Sequence, residues 1–187
     1  MNLPNKLTVA RTLLIPVFLV FLLVDVIPLH FLLAGIIFII ASLTDYLDGK
    51  IARSRNLVTT FGKFLDPLAD KALVTAALVA FVELGLSTSI PVILIIVRDL
   101  MVSAMRMLAS SDGEVIAANW WGKVKTALQM VSIIGILLAA QLFSGSETAT
   151  EQLCFYSDIV MWILALFTVV SGLVYLYDNR KLISSAN

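Results

Sequence analysis

The sequence is poor in the residues on which secreted domains and soluble enzymes commonly depend. Only 14% of its 187 residues are charged, and it contains one cysteine and one histidine. The single cysteine, Cys154, excludes a disulfide framework and a multi-cysteine metal site. The 13 basic and 13 acidic residues cancel, so net charge gives no indication of a nucleic-acid partner, and none is expected. The placement of these few charges therefore matters more than their sum.

Apolar residues dominate the chain instead. They make up 60% of it, above the roughly 45–50% of a soluble domain. A membrane-spanning helix needs roughly 20 apolar residues, and six such stretches can be identified: 7–27, 29–48, 68–86, 89–110, 124–143 and 153–177. The sequence predicts an all-α polytopic membrane protein with six transmembrane helices and short loops. Residues 1–187 form a single membrane domain in this interpretation, because little chain remains for another.

Basic residues are concentrated in alternate connections between these stretches. The connections near 25–30, 85–90 and 143–152 contain no lysine or arginine. Most basic residues lie in the N-terminal segment, in a predicted loop over 50–63, before the fifth stretch and in the C-terminal tail. By the positive-inside rule both termini and these connections face the cytoplasm. An even number of spans agrees with that orientation.

Four aspartates interrupt the apolar pattern around the end of the second stretch. Asp45 and Asp48 share one helix face, and so do Asp66 and Asp70 if the helix continues through Pro67. A carboxylate within the bilayer costs roughly 2.5–3.5 kcal/mol, so four must lie near the surface, face a wet cavity or be neutralised. Solvated helix ends and basic neighbours are two explanations. Hard cations such as Mg²⁺ or Mn²⁺, which prefer oxygen ligands, are another.

The spacing of these residues is a more specific signal than their number. The pattern is Asp45-x-x-Asp48-Gly49-x-x-Ala52-Arg53, eight residues, then Gly62-x-x-x-Asp66-x-x-x-Asp70. With every position filled, it resembles the signature of the CDP-alcohol phosphatidyltransferase family. Four further stretches are similar to family members that use glycerol phosphate: 2–11 followed by Pro16, 62–71, 97–99 and 122–126. The resemblance covers essentially the whole chain in outline.

This resemblance implies a reaction, a location and a set of cofactors. The reaction is transfer of the phosphatidyl group from CDP-diacylglycerol to sn-glycerol 3-phosphate, with release of CMP. The location is the plasma membrane of a bacterium, where membrane lipid surrounds a homodimer whose active site is at the cytoplasmic face. By the same resemblance, two Mg²⁺ or Mn²⁺ ions bind Asp45, Asp48, Asp66 and Asp70, and Asp70 is also the general base.

The resemblance also implies contacts to the CDP-lipid. The residues concerned are Asn5, Thr8, Gly49, Arg53, Thr59 and Gly62. Gly49 allows close backbone approach, and Arg53 offers a forked donor for phosphate oxygens. Helix capping by Asn5 and Thr8, and membrane anchoring by Arg53, are the alternatives.

The acceptor pocket that the resemblance implies needs positive charge, because glycerol 3-phosphate is a dianion. Arg98 lies about halfway along an apolar stretch, where arginines are functional by default. Arg106, Lys123 and Lys125 complete the set. Lys123 and Lys125 point to nearly opposite sides of a helix, so at most one is expected to face the pocket directly. An ion pair between Asp99 and one of the arginines is the alternative interpretation.

Two rival functions remain open. The same signature would serve an enzyme whose acceptor is inositol phosphate, serine or phosphatidylglycerol. The basic cluster favours a phosphorylated acceptor, and the N-terminal and Lys123 resemblances favour glycerol phosphate. A divalent-cation transporter is a rival of another class. It predicts acidic or polar residues continuing across the bilayer, and the non-cytoplasmic halves of the predicted helices contain almost none.

Overall fold

The computed structural model describes the backbone of residues 3–54, 60–111 and 120–180, and the side chains of 9–44, 71–109 and 120–180. Within these ranges the chain forms helices and no strands. The six helices are α1 (Leu3–Leu23), α2 (His30–Ser54), α3 (Thr60–Glu83), α4 (Ser89–Ser111), α5 (Trp120–Phe143) and α6 (Glu147–Asp178). The predicted all-α fold with six helices is confirmed.

Several helices are longer than the apolar stretches that predicted them. α2 continues past 48 to Ser54, α3 begins at Thr60 rather than 68, and α6 begins at Glu147 rather than 153. The predicted loop over 50–63 is wrong for most of its length, because only 55–59 lie outside these two helices and outside the described residues. Hydropathy marks the part of a helix that suits hydrocarbon, whereas backbone hydrogen bonding continues through polar residues.

The helices form one bundle in which each packs mainly against two others. The order around the bundle is α1, α2, α5, α6, α4 and α3, and α3 in turn packs against α1. α3 also touches α2 and α5. Helices adjacent in the chain are therefore often separated in space, and α6 lies between α4 and α5.

The bundle is apolar both inside and outside. Phe18, Phe38 and Phe81 are fully buried, and the rings of Phe18 and Phe38 lie 5.9 Å apart. Large apolar side chains also point outward, such as Val131 at 67% and Ile163 at 63% exposed. A soluble monomer rarely exposes so many large apolar side chains, whereas lipid chains cover such a surface without cost.

Two helices, α5 and α6, are long and apolar enough to cross a membrane by length and composition. Within the described side chains, Val9–Leu23 and His30–Thr44 are shorter apolar helical segments. The fold is therefore that of a helical bundle suited to a bilayer. Six spans and cytoplasmic termini stay predictions.

The turn between α3 and α4 is held by α6. Gly85 adopts a positive φ of 70°, a conformation that glycine accepts without steric cost. The Ser157 hydroxyl donates to the Leu86 carbonyl at 2.6 Å. One carboxylate oxygen of Asp158 accepts the backbone N–H of Thr88 at 2.6 Å and its hydroxyl at 2.9 Å. Because Thr88 directly precedes α4, this carboxylate satisfies a donor at the helix N-terminus.

Candidate active site

The aspartate signature spans the C-terminal part of α2 and the N-terminal part of α3. Asp45 and Asp48 lie in α2, whereas Asp66 and Asp70 lie in α3. The near ends of these two consecutive helices are joined by 55–59, so both pairs belong to the same end of the bundle. The backbone is helical throughout both pairs, as the predicted shared faces require. The four side chains lie outside the described residues.

The side chains of the residues implied for the CDP-lipid also lie outside the described residues. Asn5 and Thr8 belong to α1, Gly49 and Arg53 to α2, and Gly62 to α3. Thr59 lies between α2 and α3, outside the described backbone. Where side chains are described, no group of three or more His, Cys, Asp or Glu residues could hold a metal ion. The metal and nucleotide ligands therefore stay predictions.

A cavity of about 680 Å³ opens between α3, α4, α5 and α6. Five basic residues line it: Lys71, Arg98, Arg106, Lys123 and Lys125. The structure thus brings together all four residues that the sequence predicted for the acceptor. Lys71 was not predicted from the sequence, although it directly follows Asp70. Through Lys71 the cavity reaches the helix that carries the second aspartate pair.

Both lysines of α5 line the cavity, contrary to the prediction that at most one would face it. Lys125 is only 1% exposed, whereas Lys123 is exposed to the outside. Thr126 and Gln129 also contribute to the wall, so the cavity follows the N-terminal part of α5 around more than one face. A lysine ammonium sits on a long flexible stem. Angular separation on the helix therefore does not keep the two side chains apart.

Asp99 connects the two buried cations of the cavity. Its Oδ2 lies 2.5 Å from Lys125 Nζ, which also donates to Gln129 Oε1 at 2.6 Å. Arg98 Nη1 donates to Asp99 Oδ1 at 3.2 Å. The ion pair between Asp99 and an arginine, which was the alternative interpretation, is thus present. Asp99 also forms a second ion pair, with Lys125. Neither pair neutralises the site, because Asp99 is one carboxylate against five basic residues among the described lining.

Arg98 is fixed by α6 as well as by its own helix. Its Nη2 donates to the hydroxyl of Ser171 at 2.9 Å. Its stem crosses Gly172 so closely that a Cβ at that position would lie 2.9 Å from Arg98 Cγ. Nothing in the sequence distinguishes Ser171 and Gly172 from other small residues of an apolar helix. Their contact with Arg98 depends on the packing of α6 against α4.

Tyr175, also on α6, closes another part of the cavity wall. It is 2% exposed, and its hydroxyl has no hydrogen-bond partner within the described structure. Buried hydroxyls nearly always have a partner, and an anion in the cavity could accept this hydrogen bond. The sequence pattern did not single out Tyr175, because tyrosine near the end of a membrane helix is typical of an interfacial belt.

The cavity is chemically suited to a small phosphorylated molecule. Its volume lies within the roughly 300–1,000 Å³ of small-molecule sites. Arginine offers paired donors that match phosphate oxygens, and lysine supplies a compact positive charge. Because Arg98 and Lys125 are buried, their attraction to an anion is screened less than it would be in water. Serine, a neutral zwitterion without phosphate, would leave most of this charge unused.

Comparison with known proteins agrees with this chemistry. The sequence profile of CDP-alcohol phosphatidyltransferases matches residues 1–170. The CDP-diacylglycerol–glycerol-3-phosphate 3-phosphatidyltransferase of Bacillus subtilis is 42% identical, over 100% of this chain and 99% of its own length. Proteins of the same name from Rickettsia bellii and Haemophilus influenzae are 37% and 38% identical, covering 96% and 94% of this chain and 96% and 91% of their own lengths. The chain therefore belongs to the CDP-alcohol phosphatidyltransferase family.

Proposed function

We propose that this protein transfers the phosphatidyl group of CDP-diacylglycerol to sn-glycerol 3-phosphate, giving phosphatidylglycerophosphate and CMP. The observation that carries the proposal is the convergence of five basic side chains on one cavity, among them Lys71, which directly follows Asp70 in the sequence. The names of relatives at 36–42% identity contain the same two substrates. A phosphorylated acceptor explains the charge of the cavity, and glycerol 3-phosphate is small enough to enter it.

The acceptor phosphate binds at Arg98 and Lys125 in this proposal. Both side chains are buried and already held by Asp99, so that little side-chain freedom is lost when the anion binds. Arg106 and Lys123 lie nearer the outside and add positive charge that attracts the dianion. Lys71, at the α3 wall, directly follows Asp70 in the sequence.

The acceptor hydroxyl attacks the phosphorus that carries diacylglycerol. A new O–P bond forms, the bond from that phosphorus to CMP breaks, and CMP leaves with the electron pair. The hydroxyl proton passes to the carboxylate of Asp70, which acts as the general base. The position of Asp70, one residue before cavity-lining Lys71 and one helical turn after Asp66, supports this assignment.

Asp45, Asp48, Asp66 and Asp70 fit a site for two Mg²⁺ or Mn²⁺ ions. Their carboxylates are the ligands that hard cations prefer. The two helices that carry them are joined at the end of the bundle where both pairs lie. When bound, such ions offset the negative charge of the diphosphate and of the leaving group.

The protein is proposed to cross the bacterial plasma membrane six times as a homodimer, with both termini and the active site at the cytoplasmic face. The exposed apolar surface of the bundle supports the membrane location, and the basic residues near the aspartates support the cytoplasmic orientation. In this orientation the soluble acceptor reaches the four aspartates from the cytoplasm, and the lipid donor reaches them from the bilayer. The homodimer rests on the family resemblance alone.

Product identification tests the function. Purified protein is incubated with CDP-diacylglycerol and equal amounts of glycerol 3-phosphate, inositol phosphate, serine and phosphatidylglycerol, and the lipids are identified by mass spectrometry. We expect phosphatidylglycerophosphate as the dominant product. A different lipid would show that the acceptor is wrong. Release of trapped Mn²⁺ from proteoliposomes without CDP-lipid would instead favour a cation transporter.

A further inference from the structure

We propose that Ser171 and Gly172 of α6 are positioning residues for the acceptor phosphate. They act by holding Arg98 of α4 against the cavity wall, without touching the acceptor themselves. The identity of the acceptor rests on the proposed function above. The contacts that hold Arg98 are independent of that identity.

Gly172 provides the space through which the arginine stem passes. A Cβ built on Gly172 would meet Arg98 Cγ at 2.9 Å, Nε at 3.4 Å and Cδ at 3.7 Å. A separation this short between a Cβ and a carbon atom requires that one of them shift. Because Cγ lies near the α4 backbone, an alanine at 172 forces either the Arg98 side chain or the spacing between α4 and α6 to shift. Either movement displaces the guanidinium from its present position.

Ser171 fixes the other end of the same side chain. Its hydroxyl donates to the Thr168 carbonyl at 3.1 Å, which leaves the oxygen available to accept from Arg98 Nη2 at 2.9 Å. Asp99 accepts from Nη1 at 3.2 Å. Acceptors on two helices thus define the plane of the guanidinium. Each terminal nitrogen retains a second N–H that can bind a phosphate oxygen.

Other helical glycines whose surroundings are described are packed less closely than Gly172. A Cβ added to Gly135 in α5 would have no atom within 4 Å, so the space beside this glycine is open. The same change at Gly135 therefore alters helix propensity without touching a cavity residue. Gly135→Ala is a matched control for Gly172→Ala.

Steady-state kinetics with varied glycerol 3-phosphate and saturating CDP-diacylglycerol test the inference. We expect Gly172→Ala to raise the acceptor KM roughly tenfold, and Ser171→Ala to raise it about threefold, as for weakened hydrogen bonds to a charged group. The KM for CDP-diacylglycerol should stay within about twofold of the original value, because the change acts on the acceptor side alone. Gly135→Ala should change neither constant.

A double-mutant comparison separates positioning from general damage. In an Arg98→Ala background, Gly172→Ala should not raise the acceptor KM further, because the side chain through which it acts has been removed. A further rise of similar size would overturn the inference, as would an unchanged acceptor KM in Gly172→Ala alone. If the unmodified protein and Gly135→Ala do not use glycerol 3-phosphate at all, the proposed function fails first, and the substrate named here fails with it.

Discussion

The ammonium of Lys125 on α5 is bound by both carboxylate oxygens of Asp99 on α4, although α6 separates these two helices in the order around the bundle. The same carboxylate accepts a hydrogen bond from Arg98. One acidic residue therefore orients two cations that come from different helices. This arrangement makes Asp99 as important to the cavity as the basic residues that attract a ligand.

Replacement of Asp99 by asparagine should destabilise the protein. Lys125 and Arg98 are buried, and loss of their shared counter-charge leaves positive charge uncompensated in the bundle. We expect the free energy of unfolding to fall by about 3 kcal/mol, the lower part of the range for breaking a buried pair. Unfolding in detergent measures the change. Asp178→Asn, at an exposed position, is the control, and an equal effect of the two substitutions would contradict the assignment.

Replacement of Tyr175 by phenylalanine should weaken acceptor binding without loss of stability. The hydroxyl has no hydrogen-bond partner in the described part of the chain, so its removal leaves no new group unsatisfied. We expect the acceptor KM to rise about three- to tenfold, the size of one lost hydrogen bond to an anion. Tyr177→Phe, two residues further on and exposed, should leave KM unchanged. An unaltered KM in Tyr175→Phe would show that its hydroxyl does not contact the acceptor.

Replacement of Asp158 by alanine should affect stability and not catalysis. This carboxylate binds the backbone N–H and the hydroxyl of Thr88, at the end of α4 remote from the aspartate pairs. We expect a loss of about 1–2 kcal/mol, as for a removed helix cap. Asp158→Asn keeps an acceptor oxygen and should lose less. The hydrogen bond from Ser157 to Leu86 remains, so the acceptor KM should not change, and a large KM change would contradict this assignment.

Replacement of Asp70 by asparagine should abolish transfer while the protein remains folded. Asparagine has almost the same shape, but it cannot accept the hydroxyl proton at a carboxylate. Incorporation of labelled glycerol 3-phosphate measures the activity, and unfolding in detergent monitors the fold. Asp25→Asn, in the turn after α1, is a control for loss of one acidic charge. Normal turnover of Asp70→Asn would mean that another group is the base.

Removal of divalent cations should stop the reaction reversibly. In the proposed site the four aspartates of the signature would hold Mg²⁺ or Mn²⁺ through their oxygens, and without cations the diphosphate would meet these carboxylates directly. We expect an excess of EDTA to reduce product formation below detection and either cation to restore it. Calcium, a larger ion that tolerates other geometries, serves as the comparison. Full activity in EDTA would contradict a cation site.

The number and type of helices followed from the sequence because a bilayer allows few alternatives. An apolar run of about 20 residues can satisfy its backbone hydrogen bonds in lipid only as a helix. The ends of the helices were less predictable. Thr60 and Glu147 begin helices among polar residues, where hydropathy does not indicate whether the backbone is helical. Local spacing sufficed for the helical backbone at Asp66 and Asp70, but it misled for Lys123 and Lys125, whose long stems reach around α5.

Four of the five basic residues that line the cavity were predicted one by one, whereas Lys71 was not. Arg98 was the clearest of the four, because a charge within an apolar stretch needs an explanation. Ser171 and Gly172, which hold Arg98 from α6, were not predictable, because Ser171 contacts Arg98 across 73 positions of sequence. That contact depends on the packing of α6 against α4, which neither composition nor periodicity determines. Tyr175 was missed for another reason, because a tyrosine near the end of an apolar helix is typical of an interfacial belt.

The order of the helices has a consequence for biosynthesis. α6 is the sixth helix in chain order, yet it lies between α4 and α5 and supplies Ser171, Gly172 and Tyr175. A nascent chain that has inserted only its first five helices lacks this wall and the contacts through which α6 fixes Arg98. Under the proposed function, a chain that ends before α6 would therefore keep the aspartate signature but lack the residues that complete the phosphate pocket.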